Sequence, residues 1–450
     1  MHADSVPRDA LLSWRRIHTT NDNPAPVDTT MRKSKSISWL KRLGPGLITG
    51  AADDDPSGIA TYSQAGAQFG FNTLWTVLLT YPLMVGIQMV SARIGAFSGH
   101  GLATNIGRHF PRWMLHGIVI LLLLANIINI AADLVAMGDA VTLVIGGPHH
   151  LYALGLGIAS ILLQVWVPYQ RYVNVLKWLT LSLFAYVGTV FALHIEWSEV
   201  WSRTFFPHIT LSRDYITMIV AIFGTTISPY LFFWQASQEV EEQQRAPAEE
   251  ALKRRPEEAA AGVSRMQFDT CVGMGVSNAV AFFIMLTTAI TLHQHGVHDI
   301  ESSTRAASAL KPVAGQLAFI LFSLGIIGSG MLAIPVLAGS AAYAMAGTFK
   351  WSNSLEDKPA AAKRFYGVIA LATIIGAALA FSSVNTIQAL FWSAVINGVI
   401  AVPVMAIMML LAVNAGVMGR FVIGRKMRVL GWCATVVMAV AVIAMLATMA

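Results

Sequence analysis

The sequence predicts an all-α polytopic membrane protein of eleven transmembrane helices, built as two inverted five-helix repeats plus one extra helix, with helices 1 and 6 discontinuous. Three observations carry this expectation. Charged residues are 12% of the 450 and apolar residues 55%, with a mean hydropathy of +0.60, whereas an ordinary soluble protein is about 25% charged. Eleven stretches are long and apolar enough to cross a bilayer. The 30 basic residues divide 26 to 4 between alternate connecting segments. A chain of this length would otherwise fill roughly three soluble domains, and it has too little polar surface for that. Soluble multidomain enzymes, nucleic-acid modules and disordered proteins are excluded, and the net charge of +6 belongs to the loops.

The elements follow in order. Residues 1–38 are polar, carry Arg8, Arg15, Arg16, Arg32, Lys33 and Lys35, and have no apolar run before Leu40. They read as a disordered cytoplasmic tail and not as a signal peptide. The membrane transport domain covers 39–449, with spans near 43–68, 71–94, 114–146, 151–169, 173–194, 214–238, 267–292, 316–347, 365–382, 387–413 and 429–449. Each approaches the ~20 apolar residues a membrane helix needs. Helices are required because an open sheet cannot satisfy its backbone in lipid, and the alternation of a membrane barrel is absent.

Direction comes from Lys and Arg. One side holds the eight of the tail through Lys41 and Arg42, and the groups around Arg93–Arg112, Arg171–Lys177, Arg245–Arg265, Lys350–Arg364 and Arg420–Arg428. The other holds only Arg203, Arg213, Arg305 and Lys311. The N-terminus is therefore expected in the cytoplasm and the C-terminus outside, in a bacterial inner (plasma) membrane. This holds only if the first span crosses, although Asp53-Asp54-Asp55-Pro56-Ser57-Gly58 interrupts it. Carboxylates at membrane depth cost a few kcal/mol each, so they must face a protein-lined or watery cavity. Successive helical residues point ~100° apart, so at most one or two of the three can meet at a point.

The sixth span carries a second interruption, Gly224-Thr225-Thr226-Ile227-Ser228-Pro229-Tyr230. Proline removes a backbone donor and clashes with the preceding turn. The two broken spans are five crossings apart and so run in opposite directions, which points to an inverted-repeat transporter. The first repeat is expected over about 43–194, the second over about 214–413, and the extra helix over about 429–449. Unwound carbonyls and the electronegative C-terminal end of a half-helix, joined by carboxylates and hydroxyls, suit a cation.

These residues resemble the NRAMP metal transporters. The resemblance rests on Gly44-Pro45-Gly46, Asp55-Pro56-Ser57-Gly58, Gln64-Ala65-Gly66-Ala67 and Leu74-Trp75, where the family has Asp-Pro-Gly-Asn at the break. It also rests on Asp133-Leu134 for the family's Asp-Leu-Ala-Glu and Ile227-Ser228-Pro229-Tyr230 for Ile-Met-Pro-His. It implies an eleven-helix LeuT-type fold and alternating-access movement of divalent metal. Asp55 then matches the metal-binding aspartate and Thr225 the residue whose carbonyl contacts the metal. Gly58 stands for the asparagine ligand, Ser228 for the methionine and Tyr230 for the histidine. Asn126 and Ala136 replace two acids of the proton route, and spans 8 to 10 hold no basic residue. The chain is similar to NRAMP-related magnesium transporters. Loss of sulfur and amide ligands leaves a hard, roomy oxygen site suited to Mg²⁺ or Mn²⁺, with Asp55, Asp54, Thr225 and Ser228 as metal residues, and uptake without proton coupling.

Other residues are placed with less direct chemistry. Asp53, Ser57, Gly58, Tyr230, Trp234 and Asn397 are expected to line the substrate site. Asn126, Asn129 and Asp133 share one face of span 3 at i, i+3, i+7; a polar brace and an ion relay through Asp133 and Asn126 both fit. Asp139 lies nearer the outer mouth. His149, His150, His293, His295, His298 and Asp299 read as solvated loop residues, and Glu239 to Arg265 as a cytoplasmic helix extension and linker. Cys271 and Cys433 read as small buried hydrophobes, with no disulfide framework or zinc site.

The function expected is transport of a divalent cation as substrate. No further cofactor, no nucleic acid and no obligate oligomer is expected, and the lipid bilayer is the surrounding partner. The alternative keeps the fold but moves a small organic cation, with Asp55 as counter-charge and Tyr230, Phe232, Phe233 and Trp234 as an aromatic wall. A membrane enzyme is not expected: no His-Glu-x-x-His occurs, and no histidine lies deep in a span.

Overall fold

The computed structural model describes residues 44–167, 171, 181–244, 252, 256–300, 302–351, 354–355, 359–381 and 385–449. The tail 1–38, residues 173–180 of the fifth expected span and most of 245–255 lie outside the described residues. Among those described, the structure is helical with no strand.

The first expected span comprises two helices, α1 (Pro45–Asp53) and α2 (Pro56–Phe69). Each begins on a proline, which costs nothing where the first-turn N–H has no intrahelical partner. α3 (Trp75–Ser98) ends at Gly99, whose φ of 69° allows the left-handed turn that closes it. The amphipathic α4 (Leu102–His109) leads into α5 (Arg112–Ile145) and α6 (His149–Trp166). α7 (Phe184–Ala192) is followed, in the loop before the sixth expected span, by α8 (Trp197–Phe205). The sixth expected span is again two helices, α9 (Arg213–Thr226) and α10 (Pro229–Gln244). α11 (Pro256–Thr291), α12 (Ala318–Phe349), α13 (Lys363–Leu379), α14 (Thr386–Ala412) and α15 (Arg425–Met449) complete the chain.

Counting α9 with α10 as one, eight helices among the described residues are long and apolar enough to cross a membrane, or nine if the pair Leu181–Ala192 and Trp197–Phe205, bent by 118°, is one span. α1 and α2 have 9 and 14 residues, each short of a crossing by itself, and α13 has 17, at the lower end of a membrane helix. Burial sorts the bundle into layers. The most apolar window of Arg213–Gln244 is 94% buried, against 22% for His149–Trp166 and 33% for Arg425–Met449. α9 and α10 are therefore central, and α6 and α15 peripheral.

Small residues let the central helices approach closely. α1 packs on α11 where Gly50 meets Gly273, so closely that a Cβ on Gly50 would stand 2.3 Å from the Gly273 carbonyl. The N-terminal turn of α1 is also clasped by Asp269 of α11, whose carboxylate accepts the amides of Gly44 (2.8 Å), Gly46 (2.6 Å) and Leu47 (3.0 Å). α9 packs on α14 in the same way, Gly224 against Ala394 and Gly398.

Two expectations need correction. Cys271 and Cys433 are exposed on the bundle surface and are not buried core residues. The Glu239–Arg265 stretch, expected to carry no chemistry, holds a buried ion pair. Glu239 is fully buried, pairs with Arg265 at 2.6 Å and accepts from Gln235 Nε2 at 3.0 Å. A carboxylate can be buried at that depth because the guanidinium and the amide satisfy it.

Candidate cation site

Asp55 is the N-cap of α2, with extended backbone (φ −69°, ψ 168°), and Oδ1 accepts the Gly58 amide at 2.7 Å. Its Oδ2 accepts Asn129 Nδ2 from α5 at 2.9 Å and the Tyr230 hydroxyl from α10 at 3.4 Å. The Tyr230 hydroxyl also reaches the Ala52 carbonyl at 3.2 Å. Helices from both interrupted spans and from α5 thus meet on one carboxylate that is 1% exposed.

The two preceding aspartates turn the other way. Ser277 of α11 brings its hydroxyl to Asp53 Oδ2 at 2.7 Å and to Asp54 Oδ1 at 3.1 Å. One hydroxyl has one proton, so the two carboxylates compete for it. Asp53 Oδ1 is buried with no partner. The carboxylates of Asp53 and Asp54 thus form one arm against α11, and that of Asp55 another against α5 and α10. Among the described residues no three His, Cys, Asp or Glu side chains converge closely enough to hold a metal by themselves. A cation at Asp55 must complete its shell with neutral oxygens and water.

The second interruption supplies such oxygens but largely stitches itself. Ser228 Oγ donates to the Gly224 or Thr225 carbonyl, at 2.7 and 2.9 Å, and Thr226 Oγ1 to Ile222 at 2.9 Å. The breaks touch at Gly58, where a Cβ would lie 3.0 Å from Thr225 Oγ1 and 3.2 Å from the Asp53 carbonyl. Gly58 is not among the residues of positive φ, so closeness and not backbone conformation constrains that position. Tyr62, fully buried on α2, lies within electrostatic range of Asp53, Asp54 and Asp55.

The α5 face divides. Asn126 Nδ2 donates to the Leu337 carbonyl (2.8 Å) and to Ser340 Oγ (2.7 Å), bracing α5 on α12. Asn129 goes to Asp55. Asp133, fully buried, lies within electrostatic range of Asp55 and faces the Ser57 amide without closing a well-formed hydrogen bond, and both its carboxylate oxygens are otherwise unpartnered. Ser57 Oγ is likewise buried without a well-formed partner. Asn397 is buried on α14 beside the Gly398–Gly224 contact, its Oδ1 unpartnered.

Trp234, expected to line the site, is fully buried on α10. Its ring packs edge-on to Tyr343 at 5.9 Å and over Gly339 of α12. Asp139 accepts from Thr386 Oγ1 at 2.6 Å, joining α5 to the start of α14. In the loop after α11, His293 and His298 touch each other, with Nδ1 atoms 3.2 Å apart, while His293 is also fixed to the Ala67 carbonyl at 2.8 Å.

A cavity of about 380 Å³ opens at the far end of α2, lined by Gln64, Asp214, Thr217, Asp299, Asn385 and Gln388 among others. Gln64 is nine residues beyond Asp55, which is ~13 Å of helical rise. The sequence reading missed Ser277 and Tyr62 as neighbours of the aspartates. A serine or tyrosine in an apolar span carries no signal of what it faces.

Comparison with known proteins places these features in context. The sequence model of the family described as Nramp, natural resistance-associated macrophage protein-like, matches residues 46–448. A protein named divalent metal cation transporter MntH from Yersinia enterocolitica is 27% identical over 319 residues, covering 69% of this chain and 73% of its own. A protein of the same name from Pectobacterium carotovorum is 26% identical over 313 residues, covering 68% and 71%. Among solved structures, a manganese transporter from Eremococcus coleocola superposes with a TM-score of 0.72 at 16% identity, over 93% of this chain and 89% of that one. Mhp1, a nucleobase-cation-symport-1 family transporter in a closed conformation, superposes at 0.52 and 13% identity, over 90% and 92%. These last two likenesses are of fold.

Proposed function

The chain belongs to the Nramp family of natural resistance-associated macrophage protein-like proteins, and from that membership we propose that it carries a divalent metal cation across the membrane by alternating access. Its curated relatives are named as divalent metal cation transporters, not as enzymes. The observation that carries the reading is Asp55: a carboxylate buried at a helix break, held by an amide, an asparagine and a tyrosine, with no basic partner among the described residues. A buried charge so placed needs a cation.

In this reading α1 with α2, and α9 with α10, are single discontinuous crossings, the first and the sixth of eleven. α13 crosses despite its 17 residues. The basic loops lie in the cytoplasm, the C-terminus outside, and the cavity around Gln64 and Asp299 is the outer vestibule. Residues 39–449 form the transport domain, with repeats over about 43–194 and 214–413. The two side chains that hydrogen-bond Asp55, Asn129 and Tyr230, offer oxygen and no sulfur as ligand atoms, which favours a hard ion such as Mg²⁺ or Mn²⁺ over softer metals. With Tyr230, Asn126 and Ala136 where the resembling family has a histidine and two acids, uptake proceeds without proton movement. The organic-cation alternative is not favoured: of its expected wall residues Tyr230 meets Asp55 through its hydroxyl, and Trp234 packs against Tyr343 and Gly339.

The test is uptake into proteoliposomes of Mg²⁺, Mn²⁺, Ca²⁺ and a guanidinium compound, with luminal pH recorded. Saturable Mg²⁺ or Mn²⁺ uptake without stoichiometric acidification is expected. Uptake of none of the three metals, with the organic ion alone carried, overturns the reading.

A further inference from the structure

We propose that Asn129 supplies the transported cation, through Oδ1, with the amide-oxygen ligand that Gly58 cannot provide; the proposal rests on the cation-transport reading above. Three observations converge on this side chain. Asn129 is fully buried, and its Nδ2 donates to Asp55 Oδ2 at 2.9 Å. Its Oδ1 has no hydrogen-bond partner. The two atoms share one carbonyl carbon, so an oxygen with open lone pairs is fixed beside the carboxylate that would hold the ion. The orientation is chemically determined, since only the NH₂ end can donate to a carboxylate.

The position is complementary to Gly58. The Gly58 amide sits on Asp55 Oδ1 and Asn129 on Oδ2, so the two flank the same group from opposite sides. Gly58 has no side chain to offer and little room for one, with Thr225 Oγ1 at 3.0 Å from a built Cβ. α5 then restores from the other flank what α2 lacks. Neutral amide oxygen is a hard ligand suited to Mg²⁺ and Mn²⁺. A buried unpaired carbonyl is unfavourable until something fills it, and a cation on Asp55 does so. Asn126, three residues earlier on the same face, is the internal control: its Oδ1 is also unpartnered, but its NH₂ goes to Leu337 and Ser340 of α12 and not to Asp55.

The test uses the purified full-length protein with Mn²⁺ and Cd²⁺ as probes. Asn129→Cys replaces the amide oxygen with sulfur. It is expected to raise the Cd²⁺-to-Mn²⁺ affinity ratio roughly tenfold and to add a cadmium–thiolate charge-transfer absorption over the parent, which already contains Cys271 and Cys433. Asn126→Cys should do neither. A monodisperse Asn129→Cys protein that binds Mn²⁺ with the parent's ratio and shows no added absorption overturns the proposal. A second pair separates ligation from mere positioning of Asp55 and serves if the cysteine variant does not fold. Asn129→Asp keeps an oxygen and should bind Mn²⁺ at least as tightly as the parent, whereas Asn129→Leu should lose roughly tenfold or more. Equal losses in both would leave Asn129 only a positioning role and also overturn it. A parent protein that binds neither ion fails the transport reading itself, a result distinct from both.

Discussion

The two helix breaks at the centre of the molecule solve the same problem in opposite ways. At Asp53–Asp55 the interrupted backbone is surrounded by charge, and that charge is satisfied from outside: Ser277 on α11, Asn129 on α5 and Tyr230 on α10. At Thr225–Ser228 the chain carries no charge and satisfies itself, with Ser228 and Thr226 returning their hydroxyls to carbonyls one turn back. The first break is therefore wired to three other helices and the second is nearly self-contained. An ion that replaces donors at Asp55 disturbs contacts to α5 and α10 together. The neutral break keeps its Ser228 and Thr226 hydroxyl bonds within its own helix, and its tie to the first break runs through the Tyr230 hydroxyl. A carrier needs both a charged anchor and a compliant wall.

The comparison predicts its largest effect at Asp55. Asp55→Asn keeps an N-cap acceptor for the Gly58 amide and removes only the charge, so insertion and folding should survive. Cation uptake should fall about a hundredfold or more, the ratio that ~3 kcal/mol of lost binding corresponds to. Asp55→Ala should be as inactive and also less stable, by about 1 kcal/mol for the lost cap. Uptake and thermal unfolding measured on the same preparations check this. Normal uptake by a folded Asp55→Asn protein would remove the charged break from the site.

A smaller effect is expected on the α11 arm. Ser277→Ala strips Asp53 and Asp54 of their shared donor, and an unsatisfied buried acceptor costs about 1–3 kcal/mol. Stability in detergent should drop accordingly, while apparent cation affinity changes by less than about tenfold. If Ser277→Ala abolishes uptake as completely as Asp55→Asn, the carboxylates of Asp53 and Asp54 hold the ion with Asp55, and the division into two arms fails. Asp53→Asn and Asp54→Asn should then match it too.

The charged break was legible in the sequence and its wiring was not. Three aspartates followed by proline inside a span that the basic-residue count forces to cross can only mark a polar interior. Pro229 among Gly, Thr and Ser marks a second irregularity by the same backbone logic. Partners from distant helices leave no such mark. Ser277 is one of six Ser and Thr hydroxyls in a 36-residue helix, and nothing in its neighbours says it faces Asp53. Asn126 and Asn129 share a face by spacing, yet only the packing of α12 makes one a brace and leaves the other to Asp55. Trp234 misled for a related reason. Proximity to the second break in the chain is not proximity in space: one helical turn carries a side chain about 5.4 Å along the helix axis, and Trp234 meets Tyr343 and Gly339 there.

The neutral break offers a selectivity test of intermediate size. Ser228→Met removes the hydroxyl that occupies the Gly224 and Thr225 carbonyls and brings a thioether toward the ion. With Gly58→Asn it should raise Cd²⁺ or Mn²⁺ uptake relative to Mg²⁺ by about tenfold or less, because softer ions gain a matching ligand. Asparagine at 58 requires Thr225 Oγ1 to give way by a few tenths of an ångström, so the single Ser228→Met variant should carry most of the shift. An unchanged ion ratio in both variants would show that the second break does not touch the ion.

The smallest effect is expected at Trp234, and it bounds the site. Its ring lies against Gly339 and Tyr343 on α12 and serves packing, although it follows the second break by only one helical turn. Trp234→Phe keeps an aromatic in that contact while removing one ring. Stability should fall by about 1–2 kcal/mol, as for core substitutions that leave a modest void. The apparent affinity for Mg²⁺ or Mn²⁺ should stay within about twofold of the parent, a free-energy change of under ~0.5 kcal/mol. Unfolding midpoints and concentration-dependent uptake on the same preparation separate the two. A cation–π wall predicts the reverse, because losing the indole weakens the attraction for a guanidinium or ammonium group without touching a hydrated metal. Should guanidinium uptake exist in the parent and disappear in Trp234→Phe while stability is unchanged, the aromatic residues after the second break would belong to the site, and the contrast between a charged break that binds and a neutral break that bends would no longer describe this protein.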